Sequence, residues 1–357
     1  MHLDIFYGVE QTSAPDGKPV IAVSASYDGF GASPALPSGV ESSVSPILAV
    51  MYMSRVFGRQ FNQVKQRFDL MFILTPGASL GYDPTLKFID YVQGSIKSKI
   101  QLVICLDQLI DSAQGDGVPN LYVLDSKRSA TSSIRDAFVH SLKIGVAASE
   151  SVGQVIEQGV FSQAEDTKFV PYEHIAYASK GFAALTLTVR EKPYSSVSAK
   201  FSVLDTHLCL CKLSKVLFLL NEAIAQTVVS PDLKVSGQFF GSEGISKTDK
   251  AYLRQILNYL EASSRAPWFI ERGSFLNKEL FRLFDENLRQ PAQSIGVRLL
   301  DKVFVRDSIT PMAGSIHKKG SPMADLVVFI AVSVYLYGLY SLVRNFASKR
   351  DPKVKPY

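Results

Sequence analysis

The residues best able to do chemistry in this chain are five histidines (His2, His140, His174, His207, His317), three cysteines (Cys105, Cys209, Cys211) and a few carboxylates and serines at the ends of apolar runs. The histidines show neither an HExxH nor any other paired spacing, so no two imidazoles face one metal. Only His174 has an acid beside it, Glu173, in a segment that reads as a loop. That neighbourhood suits a structural hydrogen bond better than metal ligation. The cysteines include no CxxC pair and are too few for a disulfide framework. Cys209 and Cys211 stand two apart, a spacing that a helix turns to different sides, and they read as buried apolar thiols. Ser24, Ser26, Ser42 and Ser43 lack the GxSxG elbow and the histidine partner that a serine nucleophile needs. Gly29-Phe30-Gly31 lacks the third glycine of a phosphate loop.

The elements that would position these residues follow from apolar runs and turn signals. Val20–Tyr27, Phe68–Thr75, Ile100–Asp107 and the shorter Asn120–Asp125 are apolar segments that read as strands buried on both faces. Phe182–Val189 reads as a fifth. Helices are expected after the Ser45-Pro46 start signal, from about Pro84 to Gln93, over Ser133–Leu142, and over Asp205–Val228. Lys212, Lys215 and Glu222 make the last a core helix and not a membrane span. The alternation predicts an α/β fold, a three-layer sheet with flanking helices. After Pro231 the chain turns helical: Ser246-Lys-Thr-Asp249 opens one helix as a capping box, and Ser274 opens another that runs to about Leu288.

Near the C-terminus, Leu326–Val343 runs eighteen residues without a charge. That approaches the roughly 20 apolar residues that cross a bilayer core. Tyr335, Tyr337 and Tyr340 crowd one end, where an aromatic belt would sit. Ala331, Gly338 and Ser341 are ordinary small residues of such a helix. The net charge of +5 divides unevenly: Arg344–Tyr357 carries +4 and the preceding 343 residues only +1. A nearly neutral body lacks the distributed basic face of a nucleic-acid binder. The basic tail after an apolar helix favours a cytosolic C-terminus, and Lys318 and Lys319 read as topology determinants or lipid headgroup contacts.

The loops after the first three strands carry a recognisable order: Ser26-Tyr27-Asp28-Gly29, then Pro37–Ser43, then Thr75-Pro76-Gly77, then Cys105-Leu106-Asp107. This order resembles the di-zinc aminopeptidase and glutamate-carboxypeptidase family. There, two zincs need a bridging carboxylate, further His and carboxylate ligands, and a base for the attacking water. Carried across by the resemblance, the first histidine falls on Ser26, the bridging Asp and its Asn on Ser42 and Ser43, the Glu-Glu pair on Pro76 and Gly77, and the last histidine near Val189. Asp107 alone takes a ligand position, and Asp28 takes the place of an acid that orients the histidine. The expectation is a site without catalytic, cofactor-binding or metal-binding residues, a pseudo-peptidase. The alternative is an active membrane-anchored metallo-aminopeptidase with atypical ligands, and a third is a receptor that uses the old cleft.

Ser26–Leu36, Glu173–Tyr177 and Phe182–Thr188, with the late helices and the single apolar span, resemble the nicalin family, relatives of nicastrin, over Pro19–Phe346. The resemblance implies a non-catalytic scaffold in the endoplasmic reticulum membrane. Its implied partners are a Nodal modulator-like protein, small multi-pass membrane proteins, the translocon in multi-pass membrane-protein biogenesis, and membrane lipid. It implies no small-molecule substrate and no cofactor. Family members carry a signal sequence and a sizeable lumenal region before the Ser-Tyr-Asp-Gly segment; here 25 residues precede Ser26. The expectation is a chain truncated at its N-terminus, with the body lumenal. The expected organisation is an irregular leader (1–18), a peptidase-like α/β domain lacking metal ligands (19–232), a helical extension (233–313), a linker (314–322), a transmembrane helix (323–345) and a basic cytosolic tail (346–357).

Overall fold

The structure is a computed structural model, and it describes residues 2–10, 18–29, 39–60, 66–92, 94–111, 120–126, 132–148, 153–159, 170–191, 208–229, 245–263, 265–266, 270–298 and 322–350. These form two units, Met1–Ala313 and Gly314–Tyr357.

The body is built on one eight-stranded sheet. Its strands are β1 (His2–Glu10), β2 (Val20–Ser26), β3 (Asp69–Thr75), β4 (Ile100–Leu106), β5 (Leu121–Asp125), β6 (Val155–Gly159), β7 (Ala184–Thr188) and β8 (Gln293–Arg298). Across the sheet the order is β6-β5-β7-β4-β2-β3-β1-β8. The centre is parallel: β2 pairs with β3 on one side and β4 on the other, and β4 with β7. The strand β1 is antiparallel to both neighbours, and β5 is antiparallel to β7 but parallel to β6.

Helices cover both faces. They are α1 (Ser45–Gln60), α2 (Asp83–Tyr91), the single turn α3 (Gly94–Lys97), α4 (Ser133–Ala148), α5 (Glu173–Ser179), α6 (Leu210–Val228), α7 (Lys247–Glu261) and α8 (Phe275–Asn287). Along β3 the side chains alternate between two cores. Leu70, Phe72 and Leu74 join the large core under α1, α4, α6, α7 and α8. Met71 and Ile73 join the core under α2 and α5. This is why the central strands read as unbroken apolar runs: the pleat sends alternate residues to opposite faces, and both faces are dry. The helix α1 is buried all round, from Ser45 through Ser54. It is a central core helix and not a surface helix with one apolar stripe.

The structure corrects several sequence expectations. The segment expected as an irregular leader over 1–18 contains β1, whose Leu3, Ile5, Phe6 and Tyr7 are buried between β3 and β8. Its pattern carries no clean alternation, and its partners lie far along the chain. The expected boundary at 232 is not a division of the fold, because α7 and α8 pack on α1 and β8 completes the sheet beside β1. Ser45 is not a cap. A turn begins at Val40, and the Ser45 hydroxyl donates to the Glu41 carbonyl and accepts from the Leu109 amide at 3.0 Å. Both later caps are formed: Ser246 Oγ accepts from Asp249 N, and Ser274 Oγ from Asn277 N.

Among the described residues, the second unit contains one helix, α9 (Pro322–Arg350), of 29 residues. Its side chains are described over residues 329–345, and they include exposed Phe329, Tyr335, Tyr337 and Val343. No helix among the described residues is long and apolar enough to cross a membrane. The expected span at 323–345 falls on α9 and begins outside the residues whose side chains are described. The expected linker and tail, together with Phe30–Leu36, His207 and His317, also lie outside the described residues.

Candidate functional site

Because the chain passes from β2 to β3 on one side and then crosses to β4 on the other, the C-terminal end of β2 is the point where the strand order reverses. Ligands of open α/β sheets bind at such switch points. The register makes the three strand ends level: Ser26 lies opposite Thr75, and Ala25 opposite Leu106. The loops after β2, β3 and β4 therefore converge, bringing together Asp28, Pro76–Ser79 and Asp107. The turn at Val40–Val44 adds Ser42 and Ser43, and α5 adds Glu173 from the other side.

At the centre is Asp28, with no exposed surface. Its Oδ1 accepts from Ser26 Oγ at 2.7 Å, Gly77 N at 2.8 Å and Ala78 N at 2.9 Å. Its Oδ2 accepts from Ser79 N at 3.1 Å and Ser79 Oγ at 2.5 Å. Five donors thus hold one carboxylate, and the loop after β3 is folded around it. Gly77 enables this loop. Its φ of +114° is in the left-handed region, and a Cβ there would lie 2.6 Å from Pro84 Cδ.

The second carboxylate, Glu173, is also buried. It accepts from Ser24 Oγ at 2.9 Å, Thr75 Oγ1 at 2.7 Å and Thr85 Oγ1 at 3.0 Å. Beside it, His174 lies on α5 and not on a loop, fully buried. Its Nδ1 shares a proton with Thr186 Oγ1 at 2.7 Å, and Nε2 has no hydrogen-bond partner among the described residues. Burial pushes the imidazole down to about 3, so it is neutral at any ordinary pH. Tyr177, buried on the same helix and near Glu173, has its phenol pushed well above the usual range, by burial first and the carboxylate second.

The turn that carries Ser42 and Ser43 is held by a cation. The buried Arg265 guanidinium donates to Ser43 Oγ and, at 3.4 Å, to the Gly39 carbonyl; its own carbonyl accepts from Gly29 N at 2.8 Å. Arg265 and Glu173 are the site residues that sequence reading missed. Arg265 lies in a stretch without a motif, and a glutamate next to a histidine suggests a solvated loop until the sheet gathers three hydroxyls around it.

The cavity among these residues has a volume of about 10 Å³, bounded by Ser26, Ser42, Tyr82, Asp107, Tyr172 and Glu173. That is room for about one water molecule. The donor set does not fit a pair of zinc ions. Both oxygens of Asp28 and of Glu173 already accept internal donors, Ser43 accepts from a cation, and Pro76 and Gly77 offer no side-chain ligand. Among the described residues, no three His, Cys, Asp or Glu side chains gather as a metal would require. Val189, expected near the last histidine's position, is a buried core residue beyond β7. His140 lies on α4, and His2 begins β1, two strands from β2 in the sheet.

Sheet and flanking helices together define a mixed α/β domain. Its fold matches that of nicastrin, the γ-secretase component, with a TM-score of 0.55 over 80% of this chain and 55% of that one, at 13% identity. No family model matches the sequence. Among curated proteins the chain is similar to nicalin. It is 23% identical over 362 residues to the BOS complex subunit ncln of Danio rerio, across 94% of this chain and 61% of that protein. It is 22% identical over 350 residues to the subunit NCLN of Homo sapiens, across 92% and 59%. The chain thus spans about three-fifths of the length of these relatives.

Proposed function

We propose that this chain is a non-catalytic, membrane-anchored scaffold of the nicalin type. Its peptidase-like body binds partner proteins in the endoplasmic reticulum. The partners are a Nodal modulator-like protein and small multi-pass membrane proteins, in a complex that assists the translocon in multi-pass membrane-protein biogenesis. The body is lumenal and the basic tail cytosolic, with the uncharged run Leu326–Val343 as the anchor. The observation that carries the non-catalytic reading is the state of Asp28. That acid, which the resemblance makes the orienter of a zinc-binding histidine, is saturated by five donors of its own loops, and one of them is Ser26, the residue at the histidine's place. The apolar run of α9 and the charge step that follows it support the anchor and its orientation.

Two experiments test this. Affinity purification of the full chain in mild detergent is expected to recover membrane-protein biogenesis factors, and recovery of none counts against the scaffold. Elemental analysis of the purified chain is expected to find no stoichiometric zinc. Zinc that disappears with a peptidase activity in Asp107→Ala would establish the metallo-aminopeptidase instead. Protease protection on sealed microsomes separately tests the topology: digestion of the body from outside refutes a lumenal body.

A further inference from the structure

Cys209 and Cys211 do not fit the expectation of buried thiols on different sides of a helix. Cys211 is exposed and Cys209 partly exposed, and their sulfurs stand 2.8 Å apart. The reason is backbone geometry. Cys209 is the residue before α6, with an extended φ of −82° and ψ of 102°, so the helical angle between positions two apart does not apply to it. Leu208 and Leu210 pack against the main core and hold the segment between and before the two thiols, leaving the sulfurs toward solvent.

We propose that Cys209 and Cys211 form a redox-active dithiol that closes to an intramolecular disulfide by exchange with disulfides of the glutathione class, Cys209 attacking and Cys211 resolving. Closure needs the sulfurs to approach by roughly 0.8 Å, from 2.8 Å to the about 2.05 Å of a disulfide. The Cys209 thiolate attacks one sulfur of the small disulfide, forms a mixed disulfide and releases one thiolate. Cys211 then loses its proton and attacks the Cys209 sulfur, and the second small thiolate departs. Two protein thiols are oxidised and one disulfide is reduced to two thiols.

The roles follow from position. Cys209 stands at the N-terminus of a 19-residue helix, where a thiolate is favoured. The Cys211 thiol, the Lys212 and Cys211 amides and the Lys212 ammonium hold Cys209 below the ordinary thiol range against the opposing effect of burial; hydrogen bonding to Cys209 pushes Cys211 above it. An accessible thiol of lowered pKa beside a resolving cysteine is the arrangement of redox-responsive pairs. Cys105, 1% exposed in the sheet, serves as an unreactive internal reference.

The test uses the full chain in detergent, equilibrated with oxidised and reduced glutathione, acid-quenched, alkylated and mapped by mass. The expected product is a peptide with Cys209 and Cys211 joined, two hydrogens lighter, with Cys105 alkylated only after denaturation. Cys211→Ser is expected to accumulate glutathione on Cys209. Cys209→Ser is expected to lose the internal disulfide and react more slowly. Three outcomes overturn the proposal: independent glutathione adducts on both cysteines with no internal bond, no reaction of either under conditions that oxidise a reference dithiol protein, or accumulation of the mixed disulfide in Cys209→Ser and not in Cys211→Ser.

Discussion

Replacing Asp28 with alanine tests whether this carboxylate is a structural staple. A hydrogen bond to a charged group contributes about 1.5–3 kcal/mol, so five such bonds added naively would rival the roughly 5–15 kcal/mol stability of a whole domain. The surroundings reduce that sum. The Ser26 hydroxyl keeps the Thr75 carbonyl at 3.1 Å, and Ala78 N keeps Ser26 Oγ at 3.2 Å. The Ser79 groups are only part-buried and can reach water. Gly77 N is the donor left buried without a partner, at about 1–3 kcal/mol, and the lost charge-assisted bonds add to this. A destabilisation of about 3 kcal/mol is expected for Asp28→Ala. Asp28→Asn retains one acceptor oxygen for Ser26, Gly77 and Ala78 but turns an NH₂ group toward Ser79 N, and about 1.5–3 kcal/mol is expected. Urea unfolding of the detergent-solubilised chain, followed by far-ultraviolet circular dichroism, measures both. Asp136→Ala, which removes one exposed partner of Arg135, is the control, at under about 0.5 kcal/mol. If both Asp28 variants match that control, the carboxylate is not a staple, and the reasoning that removes it from metal chemistry fails with it.

Three further outcomes are expected. Gly58→Ala places a Cβ 2.3 Å from the Asn287 carbonyl, which is backbone, so α1 and the end of α8 must separate; a loss of about 1–3 kcal/mol in urea unfolding is expected. His174 is held neutral in the fold, at about 3, while the unfolded chain takes up its proton below about 6.5. Because the unfolded state binds more protons, stability falls as the pH falls, and between pH 7.5 and 5 the wild type should lose about 2 kcal/mol more than His174→Asn. A parallel decline in both proteins would show that His174 does not contribute. Restoring Glu at both Pro76 and Gly77 should yield no zinc by elemental analysis and a lowered melting temperature, because position 77 has a φ of +114° and a Cβ there meets Pro84. Stoichiometric zinc in that variant would mean that the loop refolds easily around a metal.

The strands that frame the site were legible because their information is local. The segments of β2, β3, β4 and β7 are apolar runs bounded by turn residues, and burial on both faces leaves that mark in any sequence. The capping serines of α7 and α8 were legible for the same reason, since a cap and its amide are three residues apart. The order of the loops after β2, β3 and β4 was legible too, and by resemblance it puts Ser26, Ser42, Ser43, Pro76 and Gly77 where a di-zinc peptidase has its ligands.

Only the tertiary structure decided what those loops hold instead. The strand β1 has a mixed pattern and gains its place from β3 and β8, the latter nearly three hundred residues away. Glu173 and His174 look like a solvated pair, yet they are buried because β2, β3, α2 and β7 bring hydroxyls to them. Arg265 reaches Ser43 across the fold, and Cys209 meets Cys211 through a backbone angle that residue spacing does not encode. Periodicity records which face of an element is dry. Which polar groups meet is set by parallel pairing, register and helix placement, and those depend on contacts between residues far apart in the chain.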